Sequence, residues 1–375
     1  MVEVFMLPVE EGDFLWIRYG DSKKSHILID GGTADFGYLY KDILTYIYNR
    51  DELVEAVILT HIDNDHIQGA VDGLANTSEK VVQKIIKRIY FNTCNAIQRQ
   101  QKIGGLDCAE KEIFASIWQE TYGVGEAIAF LDVLEKKKIS KRLLDFVIAG
   151  QIYNLGDGAR LEIISPNEKE LKKLAIKWEK YVKKKNDVLY GTGTEDHYEK
   201  DLEDLKTVRM GNDSSVNNRS SIAFLFTYQN VKMLFLGDAS PKVCVDGTKN
   251  AGIKLPCNID LMKLSHHGSK SNTSNTLLKA FPTRHYLVST DGSGKKVPNK
   301  AVIAHLIATA SEQKEPIWLL TNYEWWEDAY HGKFFSEKDK EMYLDTGKLK
   351  ICLLDEDGLK IKDGVKVYGQ CIEVE

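Results

Sequence analysis

An apolar run, Val57, Ile58 and Leu59, stops at Thr60, and the next six residues hold His61, Asp63, Asp65 and His66. The run reads as a short buried strand, and a helix-like segment follows. Two imidazoles and two carboxylates at a strand's exit can converge on one point, because the loop lets all four side chains face it. This mixture of nitrogen and oxygen donors suits zinc or manganese better than calcium or an iron–sulfur centre. The alternative is a polar, solvated turn, and two further segments weigh against it.

The first, FLFTYQNVKMLFLGDAS at 224–240, is two strand-like runs around a polar turn, ending in Gly237-Asp238. An aspartate just past a buried strand can bridge two metals with its two oxygens, or cap the helix that starts near Pro241. The second, DLMKLSHHGSKSNTS at 260–274, is another short strand followed by His266 and His267. Adjacent histidines point in different directions, so one is expected to bind metal, leaving the other for proton transfer or substrate.

HxDxDH, then GD after a hairpin, then HHGS resembles the signature order of the metallo-β-lactamase fold. The chain is most similar to the soluble domain of ComEC-type DNA-uptake proteins. Residues 4–32, ending in IDGG, resemble that family's opening hairpin. LEIISP at 161–166, with NNRSS at 217–221, resembles its strand-then-NNxS passage, and 286–306, with Pro298, its closing strand and helix. About two-thirds of the chain is covered. In two places it departs from the commonest pattern. Asp63 stands where histidine is usual, as in the ComEC-like branch, and residues 92–95 offer no histidine to complete the first metal site. His197 could fill that gap or be a surface residue. An oxygen-rich first site favours a harder ion such as manganese.

The resemblance implies an α/β fold, an αββα metallo-β-lactamase sandwich over 1–320, with helical insertions at about 95–150 and 167–209. Residues 321–375 would be a C-terminal extension packed on it. Strands are expected at 3–7, 14–18, 26–29, 56–59 and 88–91, and helices at 38–48, 111–120 and 125–138. Gly31 and Gly32 allow a tight turn that brings Asp30 towards the metal loop, where it would orient a ligand or accept backbone amides of the His61 loop.

In the second insertion, Leu171, Leu174, Trp178, Tyr181 and Val182 share one face at helical spacing. The rest of that helix is rich in lysine, including Lys177, Lys180 and Lys184. This is either a solvated face or a wall that tracks phosphates beside the site. The tail begins TNYEWWED, whose Tyr323, Trp325 and Trp326 could stack bases, seal a partner interface or belong to the core. Residues 349–354 and 359–362 read as short strands.

The net charge of −5 carries no global sign of nucleic-acid binding, though charge can be local. Six cysteines without a CxxC pair suggest reduced thiols. The start lacks a basic leader, and no run approaches the roughly 20 apolar residues of a membrane helix. A cytoplasmic chain with no membrane part is expected.

The resemblance assigns two divalent ions, zinc or manganese. His61 and Asp63 would hold one and Asp65 and His66 the other, with Asp238 between them and His266 or His267 closing the second site. Asp65 and His267 are the expected catalytic residues. Asn218, Ser269 and Ser271 would donate to a substrate oxyanion or serve turns. The expected function is a metal-dependent phosphodiesterase or nuclease acting on nucleic acid. Alternatives are a hydrolase of a small ester, lactone or β-lactam, and an effector-gated or non-catalytic subunit of a multi-protein system such as phage defence. In the latter, the tail would meet a protein partner.

Overall fold

The computed structural model describes residues 1–103, 123–184, 198–211, 213–293, 296–310, 315–327 and 334–370. The expected helix at 111–120 lies outside them, as does His197.

The first sheet is built from β1 (Val2–Met6), β2 (Phe14–Tyr19), β3 (Ser25–Asp30), β4 (Leu53–Ile58), β5 (Ile89–Tyr90) and β6 (Leu143–Leu144). The second contains β7 (Ile152–Asn154), β8 (Arg160–Ser165), β9 (Ala223–Tyr228), β10 (Val231–Phe235), β11 (Leu261–Lys263), β12 (His285–Val288) and β13 (Ile317–Thr321). The tail contributes β14 (Leu349–Leu353), β15 (Leu359–Lys362) and β16 (Val365–Tyr368). Strand order is β15-β16-β1-β2-β3-β4-β5-β6 in one sheet and β14-β13-β12-β11-β10-β9-β8-β7 in the other. The tail therefore feeds both sheets: β14 runs parallel to β13, and β16 parallel to β1.

Alternation along the strands builds three apolar layers. Val2, Val4 and Met6 point between the sheets, where they join Ile163, Phe224, Phe226 and Leu287. Phe5, Trp16 and Leu28 point the other way, against Tyr40, Ile43 and Ile47 of the helix Gly37–Asn49. On the far side Leu225, Leu234 and Met262 meet Val302 and Leu306 of the helix Lys300–Ala310. Each such side chain contributes about 1.5–3 kcal/mol by leaving water. This is the expected αββα sandwich. The central strands are covered on both faces, so they read as unbroken apolar runs.

The helix Glu168–Lys184 buries Leu171, Leu174 and Trp178 against the outer layer of the first sheet. Trp325 of the tail is fully buried, stacks edge-on against Trp326 and Phe334, and donates through Nε1 to Thr321 Oγ1 at 2.9 Å. It belongs to the core. Cys94 is disulfide-bonded, whereas Cys244, Cys257 and Cys352 are free thiols. The expectation of reduced thiols therefore fails at Cys94, because spacing alone does not reveal which thiols a fold brings together. No helix among the described residues is long and apolar enough to cross a membrane.

Candidate metal centre

The chemistry-bearing loops leave the sheets at one edge. Asp30 ends β3, Thr60–Asp65 follow β4, Gly237-Asp238 follow β10, and His266-His267 follow β11. Two glycines let the loops close together. A Cβ on Gly12 would lie 2.0 Å from the Asp65 carbonyl oxygen, and Gly32 has φ +72°, beside Val9. His266 and His267 both adopt left-handed backbone, φ 49° and 55°. That conformation costs energy in side chains other than glycine, and here it turns two adjacent rings to the same centre.

Asp238 is the hub. Its Oδ2 lies 3.7 Å from His61 Nε2 and 3.6 Å from His266 Nε2. Its Oδ1 lies 3.5 Å from His66 Nε2. His267 Nε2 faces Asp65 Oδ2 at 4.0 Å, and Asp63 Oδ2 is 3.5 Å from His61 Nε2.

Each imidazole is held from behind through Nδ1. His66 Nδ1 donates to Asp30 Oδ2 at 2.8 Å. Thr60 Oγ1 gives its proton to Asp30 Oδ2, so it accepts from His61 Nδ1 at 3.0 Å. His267 Nδ1 donates to the Ser289 carbonyl at 2.8 Å. Asn272 uses its amide nitrogen on Asp213 Oδ2 and the Asp238 carbonyl, which leaves its oxygen to accept from His266 Nδ1 at 3.0 Å. All four Nε2 lone pairs thus face Asp238 or Asp65.

The front atoms have no protein partner. His61 Nε2, His66 Nε2, His267 Nε2 and Asp238 Oδ1 are buried without a hydrogen bond. Such groups are costly to bury unless something binds them. The ligand atoms of His61, His66 and Asp238 lie within 4.8 Å of one another, as do those of Asp65, His66 and His267. Orphaned imidazole nitrogens around a bridging carboxylate fit divalent metal ions. His61, Asp63, Asp65, His66, Asp238, His266 and His267 are the residues that would hold them.

The electrostatics agree with this. Burial works against charge on Asp238, but His266, His66, His61 and His267 outweigh it and hold its pKa well below the usual carboxylate range. Burial likewise opposes charge on His66, yet Asp238 and Asp30 raise its pKa well above the ordinary value. For His267 burial dominates and pushes the pKa down to about 4, despite Asp13 and Asp238.

Several sequence expectations change here. Both histidines of the HH pair face the centre, rather than one. His266 meets the same Asp238 oxygen as His61, so it offers a nitrogen donor where residues 92–95 offer none. Asn92 is occupied with both backbone groups of Val147, and Thr93 caps the helix Cys94–Gln101. The Asn218 amide nitrogen donates to Asp213 Oδ2 at 2.8 Å and lies 3.3 Å from His266 Nδ1. Ser269 is buried and its hydroxyl accepts from Ser271 N at 3.3 Å, while the Ser271 carbonyl accepts from Asp213 N, so both serve the turn. Asp30 accepts from Thr60 N and Thr60 Oγ1, both at 2.7 Å, besides His66. Lys177 donates to Asn217 Oδ1 at 2.9 Å, and the Asn217 amide donates to Asp63 Oδ1, which ties the insertion helix to the metal loop. Lys180 is solvent-exposed on that helix, and the Lys184 side chain lies outside the described atoms.

Sequence reasoning missed Asn217, Asp13 and Lys263. Asn217 lies in the same NNRSS motif as Asn218, and only the helical phase of Val216–Arg219 shows which amide points inward. Asp13 precedes a strand and Lys263 ends one, positions where a charge ordinarily meets solvent.

Residues 11–112 match the family model of the metallo-beta-lactamase superfamily. Two curated relatives are hydroxyacylglutathione hydrolases. That of Psychromonas ingrahamii is 27% identical over 108 residues, 28% of this chain and 39% of the relative. That of Saccharophagus degradans is 27% identical over 75 residues, 20% of this chain and 25% of the relative. The chain thus spans well under half the length of either relative. The metallo-beta-lactamase fold protein YhfI from Bacillus subtilis aligns over 93% of this chain and 95% of its own, at 12% identity and a TM-score of 0.38. With its two packed sheets, flanking helices and matched metal-loop segment, the chain has the fold of the metallo-β-lactamase superfamily.

Proposed function

We propose that this chain is a metal-dependent hydrolase that cleaves phosphodiesters, with nucleic acid as its substrate class. The observation that carries the hydrolase reading is the set of four imidazoles, each fixed at Nδ1, three with Nε2 turned to the shared Asp238 carboxylate and the fourth, His267, with Nε2 turned to Asp65. Divalent ions in such a site lower the pKa of water and neutralise charge on the bond being broken.

The chain's own residues have separable tasks. Asp30, Thr60, Ser289 and Asn272 fix ring orientation and so prepay the cost of ordering the site. Asp65, 4.0 Å from His267, is the candidate to take or return a proton, while His267, with Nδ1 on the Ser289 carbonyl and Nε2 towards the centre, would serve as a ligand. Lys177 brings a positive charge to the rim through Asn217 and Asp63, which favours a substrate with an anionic group beside the reacting bond. Exposed Lys169, Lys172 and Lys180 continue along the same helix. Together with the likeness to ComEC-type domains, this lysine-lined approach supports a polyanion.

The matched segment in two hydroxyacylglutathione hydrolases supports a second reading, hydrolysis of a small acylated compound. Metal analysis of protein purified without chelator, followed by assays on nucleic acids, chromogenic phosphodiesters and small esters, tests both. Two metal equivalents with phosphodiester cleavage are expected. Ester turnover alone would move the assignment to the second reading, and absence of bound metal would remove both.

A further inference from the structure

Beneath the centre lies a pair of buried charges that the hydrolytic chemistry above does not use. Asp13, just before β2 of the first sheet, and Lys263, the last residue of β11 in the second, are each 1% exposed. Lys263 Nζ donates to Asp13 Oδ2 at 2.7 Å and to the Leu264 carbonyl at 3.1 Å. The other carboxylate oxygen, Asp13 Oδ1, has no hydrogen-bond partner and faces His267 Nδ1 at 3.5 Å. The Asp13 backbone is engaged too: its N–H donates to the Asp65 carbonyl at 3.3 Å, and its carbonyl accepts from Gly32 N at 2.9 Å. One residue thus touches the loops of Asp65, Asp30 and His267.

A buried ion pair is weak evidence for stability, because desolvation of both charges offsets their attraction. Its position directly under a ligand cluster points to another role. Ligand atoms of Asp13, Asp30 and His66 also lie within 4.8 Å of one another, but Asp30 is occupied by Thr60 and His66, and the Lys263 ammonium supplies the cation beside Asp13. This is not a third metal site.

We propose that Asp13 and Lys263 form a charge clamp between the two sheets that positions His267 and Asp65 and sets metal affinity on their side of Asp238. The inference rests on the reading of the cluster as a metal centre. The His267 Nδ1 proton goes to the Ser289 carbonyl, and the Asp13 carboxylate 3.5 Å behind it adds a negative charge that makes the opposite nitrogen a better donor. Lys263 balances that carboxylate, so the charge aimed at the ring is held in place without being left bare in the core. Asp13 and Lys263 are positioning residues, since neither meets the reacting atoms.

The test compares wild type with Asp13→Asn, Lys263→Met and the double variant in competitive zinc titrations, with thermal unfolding measured in the presence and absence of zinc. Asp13→Asn removes the charge behind His267 and is expected to weaken one zinc equivalent about 10-fold, the low end of the range for outer groups, and to spare the other. Lys263→Met should destabilise the metal-free protein most, by leaving Asp13 unpaired. The double variant should recover that stability but not the zinc affinity. In zinc-loaded protein, the NMR signal of the His267 Nδ1 proton should move in both Asp13 variants. Unchanged zinc affinity and an unmoved signal in the double variant would overturn the clamp and leave a structural ion pair. Wild type that binds no zinc would overturn the metal reading itself. If a single variant does not fold, the double variant alone decides.

Discussion

On one side of Asp238, His66 and His267 are nearly sealed from solvent, at 0% and 1% exposure, and their rear nitrogens meet a carboxylate and a backbone carbonyl that belong to the strand ends. On the other side, the side chains of His266 and Asp63 keep 18% and 30% of their surface. Their supports are amides, Asn272 for His266 and Asn217 for Asp63, on loops and one short helix. A charged support in a low-dielectric interior is stronger and less adaptable than an amide near water. On the proposed reading the deep side, with Asp30 as its charged support, would hold an ion, and the open side would exchange ligands with substrate.

Removing a deep ligand should have the largest effect. His66→Ala should lower hydrolysis by ~10³-fold or more and reduce bound metal, with the circular dichroism spectrum unchanged, because His66 lies in the first turn of the helix Asn64–Asn76, which alanine suits. Asp65→Ala should do the same. Near-wild-type turnover by either variant in metal-free buffer would sink the hydrolase reading.

Open-side changes should cost less. His266→Ala or Asp63→Ala should lower the rate on the order of 10²-fold and release one metal equivalent while the other stays bound. Equal losses on both sides would erase the contrast. Because His61 and His266 give the open side two nitrogen donors, zinc should support turnover at least as well as manganese. Activity with manganese alone on reconstituted protein would count against His266 as a ligand.

Acid should separate the sides as well. Burial opposes charge on His66 and His61, but neighbouring carboxylates outweigh it and raise both pKa values, so the metal-free site holds protons near neutrality. An incoming ion must displace them. Zinc affinity should therefore fall as pH drops, by roughly tenfold per unit for each proton displaced, most steeply near and below the raised pKa values. His267, with its pKa near 4, adds nothing to this slope above pH 5. Calorimetry in two buffers of different ionisation enthalpy counts the released protons. Release of none at neutral pH would contradict the raised values.

These contrasts were only partly legible in the sequence. His61, Asp63, Asp65, His66 and Asp238 stand in short motifs whose spacing forces proximity once the strands are placed. The strands themselves are readable because apolar runs such as Val57–Leu59 are bounded by polar turns. What pairs with what across the sandwich is not written locally. Asp13 and Lys263 are 250 positions apart, and a charge at a strand end looks solvated until the facing sheet covers it. The convergence of His266 and His267 depends on two successive left-handed residues, which neither histidine announces. The tail's role at both sheets was hidden for the same reason: β16 and β1 meet only through the fold.

The lysine helix supplies the smallest expected effect and the finest division. Lys177 reaches the open side through Asn217, whereas Lys180 stands exposed one turn later in the helix. If the helix tracks a phosphate backbone, Lys180→Glu should weaken polynucleotide binding and leave turnover of a small phosphodiester unchanged, because a substrate with one phosphate does not extend that far. Lys177→Gln should impair both, since it also loosens Asn217 behind Asp63. Salt dependence gives an independent count. Each phosphate neutralised contributes a slope of roughly −0.7 to −0.9 in log affinity against log salt, so Lys180→Glu should make the slope shallower by about one contact. An unchanged slope and unchanged binding would make the exposed lysines a solvated face. The basic contribution to the site would then reduce to Lys177, a single charge suited equally to a small anionic ester.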